Sequence, residues 1–132
     1  MSLELSESVL APRGERNHVV ADRPVASFLE EEWVTSDSAR RALTVLVANR
    51  ECPWRCVMCD LWKNTLTRSV SPSGIETQLR HAAAMNAGQF HWLKFYNSGS
   101  FFDRAAIPMK ARDVVLRFCR GLERLIVENH PR

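Results

Sequence analysis

Residues 43–59 decide the fold, and they run Leu43-Thr-Val-Leu-Val-Ala48, Asn-Arg-Glu, Cys52-Pro-Trp-Arg-Cys56-Val-Met-Cys59. A short apolar run rich in β-branched residues is typical of a buried strand. The loop directly after it carries three cysteines with the spacing Cys-x3-Cys-x2-Cys. Three thiolates on one loop can hold a metal centre, whereas a structural site normally has four protein ligands. The stretch therefore predicts a buried strand and then a metal-binding loop with one coordination position left for another molecule.

Strand-like and helical patterns alternate over the rest of the chain. Apolar residues recur at helical spacing after the cysteine loop, and a short apolar run follows each helical stretch. This order, β-loop-α-β-loop-α-β, is typical of an α/β fold with parallel strands and crossover helices. The sequence predicts strands at 43–48, 91–96 and 125–127, a helix that begins at a capping box of Ser73 and Glu76 and ends near 85–87, and a second helix over 108–121.

Polar residues follow the second and third predicted strands directly. Asn97, Ser98, Gly99 and Ser100 come after the second strand, and Glu128 comes after the third. In parallel α/β folds the carboxyl ends of the strands carry the binding site. We therefore expect these residues to share one edge of the sheet with the cysteine loop, and residues 97–100 to bind a cofactor there. Glu128 stays open between a cofactor contact and a solvated strand end. On composition alone, residues 97–100 would be only a turn.

The chain before residue 42 has a weaker pattern. Residues 1–25 are polar and contain prolines, so they predict an extended N-terminal arm, with residues 26–132 forming one folded unit. The run Phe28-Leu-Glu-Glu-Glu-Trp33 predicts a short helix or an ordered lead-in to the first strand. Its acidic residues, 30–32, are expected to form a solvated face.

Composition excludes several classes of protein. The chain has 132 residues, 45% of them hydrophobic, and a net charge of +3. These values are typical of a single soluble domain and do not by themselves indicate nucleic-acid binding. No apolar run is long enough for a membrane span, and the N-terminus lacks the pattern of a signal peptide. We therefore expect a cytoplasmic protein, in which clustered cysteines bind metal more often than they form disulfides.

The cysteine motif, placed after the first predicted strand, resembles that of the radical S-adenosylmethionine (SAM) enzymes. The resemblance implies a parallel-stranded partial (β/α) barrel in which Cys52, Cys56 and Cys59 hold a [4Fe-4S] cluster. It also implies that SAM chelates the fourth iron and that one-electron cleavage of SAM gives a 5′-deoxyadenosyl radical. The expected cofactors are therefore the cluster and SAM.

The same resemblance assigns cofactor contacts outside the cysteines. Met58 stands where the family usually has an aromatic residue that packs near the adenine of SAM. Residues 97–100 match a glycine-rich stretch whose backbone receives the SAM amino group. Glu128 matches a polar residue that contacts the ribose or the methionine part. Asp103 stays open between a catalytic or ribose-binding carboxylate and a helix cap.

Two further runs, Phe95-Tyr-Asn-Ser-Gly-Ser-Phe-Phe-Asp103 and Ile126-Val-Glu128, resemble the radical SAM branch of archaeosine synthesis and its bacterial relatives. This resemblance covers residues 25–132 and implies a transfer RNA or nucleoside substrate. A radical SAM enzyme also needs a one-electron donor such as flavodoxin or ferredoxin. Three predicted strands do not close a barrel, so the fold is expected to stop after the third strand. Either the chain is a fragment or truncated product, or a partner chain completes the sheet.

Two other functions fit the same residues. The three cysteines suit a zinc-binding interaction module, with Cys119 or a histidine as the fourth ligand. Zinc motifs usually come as two separated pairs of ligands, and no second pair is present. Cys119 lies in an apolar helical pattern, which favours a buried core thiol. The chain could also be an inactive, truncated remnant that binds nothing.

Overall fold

A computed structural model describes residues 14–54, 56 and 58–130. Residues 1–13 of the predicted arm, Arg55, Val57 and residues 131–132 lie outside the described part. The described chain forms four strands, two helices and one 3-10 turn. These are β1 (Ala26–Thr35), β2 (Ser38–Leu46), the 3-10 turn (Leu61–Asn64), α1 (Pro72–Met85), β3 (Trp92–Tyr96), α2 (Met109–Phe118) and β4 (Arg124–Val127).

The strands form one mostly parallel sheet in the order β1-β2-β3-β4. β2 pairs parallel with β3, and β3 pairs parallel with β4. Each parallel pair is joined through a helix, because α1 follows β2 and α2 follows β3. The predicted α/β class is therefore confirmed, and the loops after β2, β3 and β4 leave the sheet at the same edge.

The hydrophobic core lies between the sheet and the two helices. Leu43 and Val45 of β2 and Leu93 and Phe95 of β3 belong to it and are almost fully buried. They alternate with residues on the opposite face, as the pleat of a strand requires. The buried residues from the helices are Ile75, Gln78, Leu79 and Ala82 from α1 and Ala111, Val114 and Val115 from α2.

The prediction for residues 25–41 was wrong about the helix. The segment is β1, which pairs antiparallel with β2 and places Leu29 opposite Leu43. β2 consequently begins at Ser38 instead of residue 43. Alternation explains the outcome, since Phe28, Glu30 and Glu32 are two residues apart and share one face of the sheet.

The predicted capping box of Ser73 and Glu76 was also wrong. α1 begins two residues earlier, and the Ser71 hydroxyl accepts a hydrogen bond from the Gly74 backbone N–H at 3.1 Å. Pro72 then occupies the first turn, where its fixed φ suits the helix and its missing N–H costs nothing. Glu76 pairs with Arg80 one turn later, at 2.6 Å.

The acidic run of β1 is not simply a solvated face. Lys94 of β3 is 9% exposed, and its ammonium binds Glu30 at 2.8 Å and also Glu32. The Thr44 hydroxyl donates to Glu30 as well, at 2.5 Å. Hydrogen bonds from Lys94 and Thr44 lower the pKa of Glu30. Burial lowers the pKa of Lys94, but its hydrogen bonds to the two glutamates outweigh burial and raise the net pKa.

Lys94→Met is expected to destabilise the fold at neutral pH by about 1–2 kcal/mol, because it leaves the carboxylates of Glu30 and Glu32 without their cation. The loss stays small because both carboxylates are part exposed and water screens their charges. The native interaction lowers the pKa of Glu30 and raises that of Lys94. The stabilisation is therefore fully present between the ordinary glutamate value of 4.5 and the ordinary lysine value of 10.5, and it is lost as the pH falls through the lowered pKa of Glu30 or rises through the raised pKa of Lys94. Urea unfolding at neutral and acidic pH tests this. The loss should shrink in acid, and the exposed control Lys110→Met should match the wild type at both pH values.

None of the helices in the described part of the chain has the length and apolar character needed to cross a bilayer. Residues 14–25 of the predicted arm contain no helix or strand. They run beside the sheet, where the Val25 N–H donates to the Leu46 carbonyl at 2.7 Å.

Candidate functional site

The cysteine loop and the loop after β3 are in direct contact. A Cβ atom added to Gly99 would stand 3.3 Å from the Cβ of Cys52 and 3.6 Å from its Cα. A side chain at position 99 would therefore press on the first cysteine, and glycine permits the close approach. The expectation that residues 52 and 99 share one edge of the sheet is confirmed.

Glu128 holds the loop after β3 from the other side. Its Oε1 accepts a hydrogen bond from the Ser98 backbone N–H at 2.9 Å. Ser98 has a φ of 57°, a left-handed conformation that is costly for a residue with a side chain. The Glu128 carbonyl also accepts from the Phe101 N–H at 2.9 Å. The carboxyl thus fixes a strained backbone beside the cysteine loop.

A second set of hydrogen bonds joins the loop after β3 to the segment after β4. The Ser100 hydroxyl donates to Asn129 Oδ1 at 2.7 Å. Within the loop, the Asn97 amide donates to the Ser100 carbonyl at 3.1 Å. Asn97 and Ser100 are buried, whereas Ser98 and Gly99 between them are part exposed. Residues 97–100 are therefore held at both ends and present their middle to the cysteine loop.

Arg16 of the N-terminal arm braces the other flank of the cysteine loop. Its guanidinium binds Glu51, the residue before Cys52, at 2.6 Å. It also donates to the Trp62 carbonyl and to Thr65 Oγ1, both at 2.9 Å. The arm thereby ties together the two segments on either side of the cysteines.

Burial controls the electrostatics of this edge. Burial raises the pKa of the Cys52 thiol, and the negative charges of Cys56, Asp103 and Cys59 raise this pKa further. A hydrogen bond from the Trp54 backbone N–H acts in the opposite direction. Burial also raises the pKa of Glu128, against the backbone N–H groups of Ser98 and Asn97. A thiol in such surroundings is protonated until a metal ion displaces the proton.

Three buried polar side chains at the strand ends have atoms without hydrogen-bond partners in the described part of the chain. They are Asn49 after β2, with both amide atoms, Asn97 after β3, with Oδ1, and His130 after β4, with both ring nitrogens. Asn49 and Asn97 are 0% exposed. Because buried polar groups are nearly always paired, such a group needs an explanation such as an ion, a ligand or water. Each of the three follows a different parallel strand.

The cysteines form no disulfide among the described residues and lie in different surroundings. Cys52 and Cys59 are half-buried, and Cys56 is exposed. Among residues 14–54, 56 and 58–130, no three cysteine, histidine or acidic side chains converge closely enough to hold a metal ion. Met58 is 86% exposed. The structure therefore brings together Cys52, residues 97–100 and Glu128.

Cys119 and Asp103 are two further residues whose roles the sequence left open. Cys119 lies at the end of α2, is half-buried and packs against the core, so it is only in part the buried core thiol that was expected. Burial raises its pKa to about 11. Asp103 Oδ1 accepts from the Ala105 N–H at 3.0 Å within a turn, but Asp103 does not cap α2, whose N-cap is Pro108. Sequence reasoning missed Arg16 and Asn49 and gave His130 no role, although the positions of Asn49 and His130 directly after strands were a usable signal.

Two surface grooves lie away from this edge of the sheet. One is lined by Glu31, Arg40, Arg41 and His91 near the start of β3. The other lies between α1 and α2, beside Arg80. Neither contains a residue from the loops after β2, β3 and β4, so the grooves are separate from the candidate site.

Comparison with known proteins adds one distant relative. No family model and no solved structure matches the chain. An uncharacterized protein from Methanocaldococcus jannaschii is 20% identical over 122 residues. The match covers 83% of this chain and 33% of the archaeal protein, so the chain spans about a third of that relative's length. Function must therefore be argued from the residues of the site.

Proposed function

We propose that this chain forms the cofactor-binding part of a radical SAM enzyme, with Cys52, Cys56 and Cys59 holding a [4Fe-4S] cluster. The observation that carries the proposal is the packing of Cys52 on Gly99, in a loop that is also bound by Glu128. The three stretches singled out by their sequence motifs meet at one edge of a parallel sheet, where α/β proteins bind their ligands.

The donor groups at this edge suit both cofactors. Thiolates are the usual ligands of iron-sulfur clusters, and three of them leave one iron without a protein ligand. Both amide atoms of Asn49 and the Oδ1 of Asn97 lack partners among the described residues, and the amino and carboxylate groups of SAM are complementary to amide oxygen and nitrogen. When bound, the cluster and SAM supply a one-electron cleavage that yields a 5′-deoxyadenosyl radical.

The residues of the chain bind and orient these groups. Gly99 admits the backbone of Cys52, and Glu128 holds the Ser98 N–H so that residues 97–100 keep one conformation for the SAM amino group. Met58, exposed on the cysteine loop, is available to pack on the adenine. Trp54 stands between Cys52 and Cys56 and Trp62 follows Cys59, and both would shield the cluster from water and oxygen.

The larger assembly is part of the same proposal. The sheet is taken as the first part of a partial (β/α) barrel, because β4 is an edge strand within the described residues and such an edge invites a further strand. A partner chain or further sequence would supply it. We further propose a cytoplasmic enzyme that acts on a nucleoside or transfer RNA, supported by the runs 95–103 and 126–128. Flavodoxin or ferredoxin would supply the electron.

The proposal is tested by anaerobic reconstitution with iron and sulfide, reduction, and EPR spectroscopy with and without SAM. We expect a [4Fe-4S]⁺ signal whose g-values shift when SAM is added, because SAM binds the open iron. A cluster whose spectrum ignores SAM would contradict the SAM site. Stoichiometric zinc with no cluster would instead favour a zinc-binding interaction module.

A further inference from the structure

The groove near the start of β3 carries a positive charge that the described fold does not use. It has a volume of about 280 Å³ and is lined by Glu31, Ala39, Arg40, Arg41, Gln89 and His91. Arg40 is already engaged, because its Nε binds Glu123 at 2.9 Å. The guanidinium of Arg41 has neither a hydrogen-bond partner nor an ion-pair partner within the part of the chain that the structure describes. Arg41 is therefore the cation that is available to a ligand in this groove.

Gly88 leaves room for the head group of Arg41. A Cβ atom at position 88 would stand 3.1 Å from Nη1 of Arg41, so a side chain there would press on the guanidinium. Gly88 also has a φ of 132°, a conformation that other residues rarely adopt. The backbone of Arg41 is fixed as well, since its carbonyl accepts from the His91 N–H at 2.8 Å. The turn before β3 thus positions a guanidinium at the groove.

An exposed aromatic ring lies beside this cation. Trp33 of β1 is 67% exposed and pairs with Ala39 of the groove, while Glu31 pairs with Arg41. Trp33 and Glu31 are two residues apart in one strand, so their side chains and those of their partners project from the same face of the sheet. An indole, a carboxylate and a guanidinium are therefore neighbours on that face.

These three groups match the parts of a nucleotide. An exposed indole stacks on the flat face of a base, whatever the base is. A guanidinium binds a phosphate through two parallel N–H donors. The carboxylate of Glu31 beside them can accept a hydrogen bond from the exocyclic amino group of a base such as cytosine.

The other acidic residues near the groove do not repel a phosphate there. Glu30 and Glu32 alternate with Glu31 along β1, so they point to the opposite face, where both bind Lys94. Glu123 is bound by Arg40. Their charges are thus already compensated.

The groove lies at the edge of the sheet opposite the cysteine loop. β2 has nine residues and begins beside the groove, so the two edges are about 30 Å apart. A free nucleotide does not span this distance, whereas a chain of nucleotides does. A ligand that occupies the groove and also reaches the cysteine edge is therefore a polynucleotide.

We infer that Trp33, Glu31 and Arg41 bind one nucleotide of single-stranded RNA, with the base stacked on Trp33 and the phosphate on Arg41. The groove thereby holds an RNA substrate at a point remote from the cysteine loop. The choice of RNA rests on the proposed function, whereas the stacking and phosphate contacts rest on the groove itself.

Fluorescence anisotropy with a labelled, unstructured RNA of about ten nucleotides tests the inference on the metal-free chain, since single-strand sites usually cover about 4–16 nucleotides. Trp33→Ala should weaken binding about tenfold or more, and Trp33→Phe should restore most of the affinity, because phenylalanine also stacks. Arg41→Gln should reduce the slope of log K against log salt by about 0.7, the contribution of one phosphate on a single strand.

Arg117→Gln is the matched control, because it makes the same charge change in the groove between α1 and α2. It should keep both the affinity and the salt slope of the wild type. Trp33, Arg41 and Arg117 are all exposed, so each variant should unfold at the urea concentration of the wild type.

Three results would overturn the inference. They are a wild-type chain without affinity for RNA, wild-type affinity in Trp33→Ala with an unchanged salt slope in Arg41→Gln, and cytidine monophosphate that binds as tightly as the oligonucleotide. None of these results bears on the cluster, because binding is measured without metal. A cluster that ignores SAM, beside intact RNA binding, would contradict the proposed function and leave the RNA contact standing.

Discussion

Replacing Cys56 by alanine is expected to reduce the bound iron and sulfide from about four of each per chain to background, because a [4Fe-4S] cluster needs three thiolates when the protein supplies no other strong ligand. Cys56 is exposed, so the substitution removes a ligand without opening a cavity. Exposed sites of this kind change stability by only about 0.5 kcal/mol. The loss should therefore be specific to the metal centre.

The measurement is iron and acid-labile sulfide after anaerobic reconstitution and desalting, together with the charge-transfer absorbance of the cluster. Cys119→Ala is the matched control. It also removes one thiol, but from a side chain that packs against the core, so it should keep its iron and lose some stability. Wild-type iron and sulfide content in Cys56→Ala would show that the loop does not bind a cluster.

The parts of the fold that depend on local pattern were predictable. β2 and β3 are apolar runs buried between the sheet and the helices, and β4 is a short apolar run that is partly buried. A run of that kind has few alternatives in a chain of this length. The alternation with α1 and α2 then dictates parallel pairing. The shared edge of residues 52, 99 and 128 follows from that topology alone.

β1 was missed because its pattern depends on a partner. Its glutamates discourage a buried strand when considered by themselves. In the sheet, Glu30 and Glu32 point to the face that carries Lys94, which neutralises them. That pairing joins residues more than sixty positions apart, and no local pattern encodes it.

The side-chain contacts of the site could not be predicted, because they also join segments that are far apart in the sequence. Arg16 on Glu51 and His130 on Trp54 are contacts between segments distant in the sequence. A polar residue that follows a strand could equally face solvent. Only the folded chain shows that Asn49 and His130 are buried with unpaired atoms.

Gln78 is a further residue that sequence pattern alone does not explain. It is 0% exposed within the apolar face of α1. Its Oε1 accepts from the Ala48 N–H at 2.8 Å, and its Nε2 donates to the Ala48 and Ala21 carbonyls, both at 2.9 Å. The side chain thus bonds the backbone as a neighbouring strand would, at the point where β2 ends and the cysteine loop approaches.

Gln78→Met is expected to lower the free energy of unfolding by about 2–4 kcal/mol, because it keeps the side-chain volume but leaves a buried N–H and two carbonyls without their partner. The reconstituted iron content should fall as well, because the backbone at Ala48, four residues before Cys52, loses its anchor. Urea unfolding of the metal-free protein measures the first effect, and iron analysis measures the second.

Gln89→Met makes the same chemical change at an exposed position, so it should match the wild type in both measurements. A Gln78→Met variant within about 0.5 kcal/mol of the wild type would show that water replaces the amide at the end of β2. In that case the position of the cysteine loop would not depend on Gln78. A large loss of stability with unchanged iron content would separate the two roles, since Gln78 would then support the fold without positioning the metal ligands.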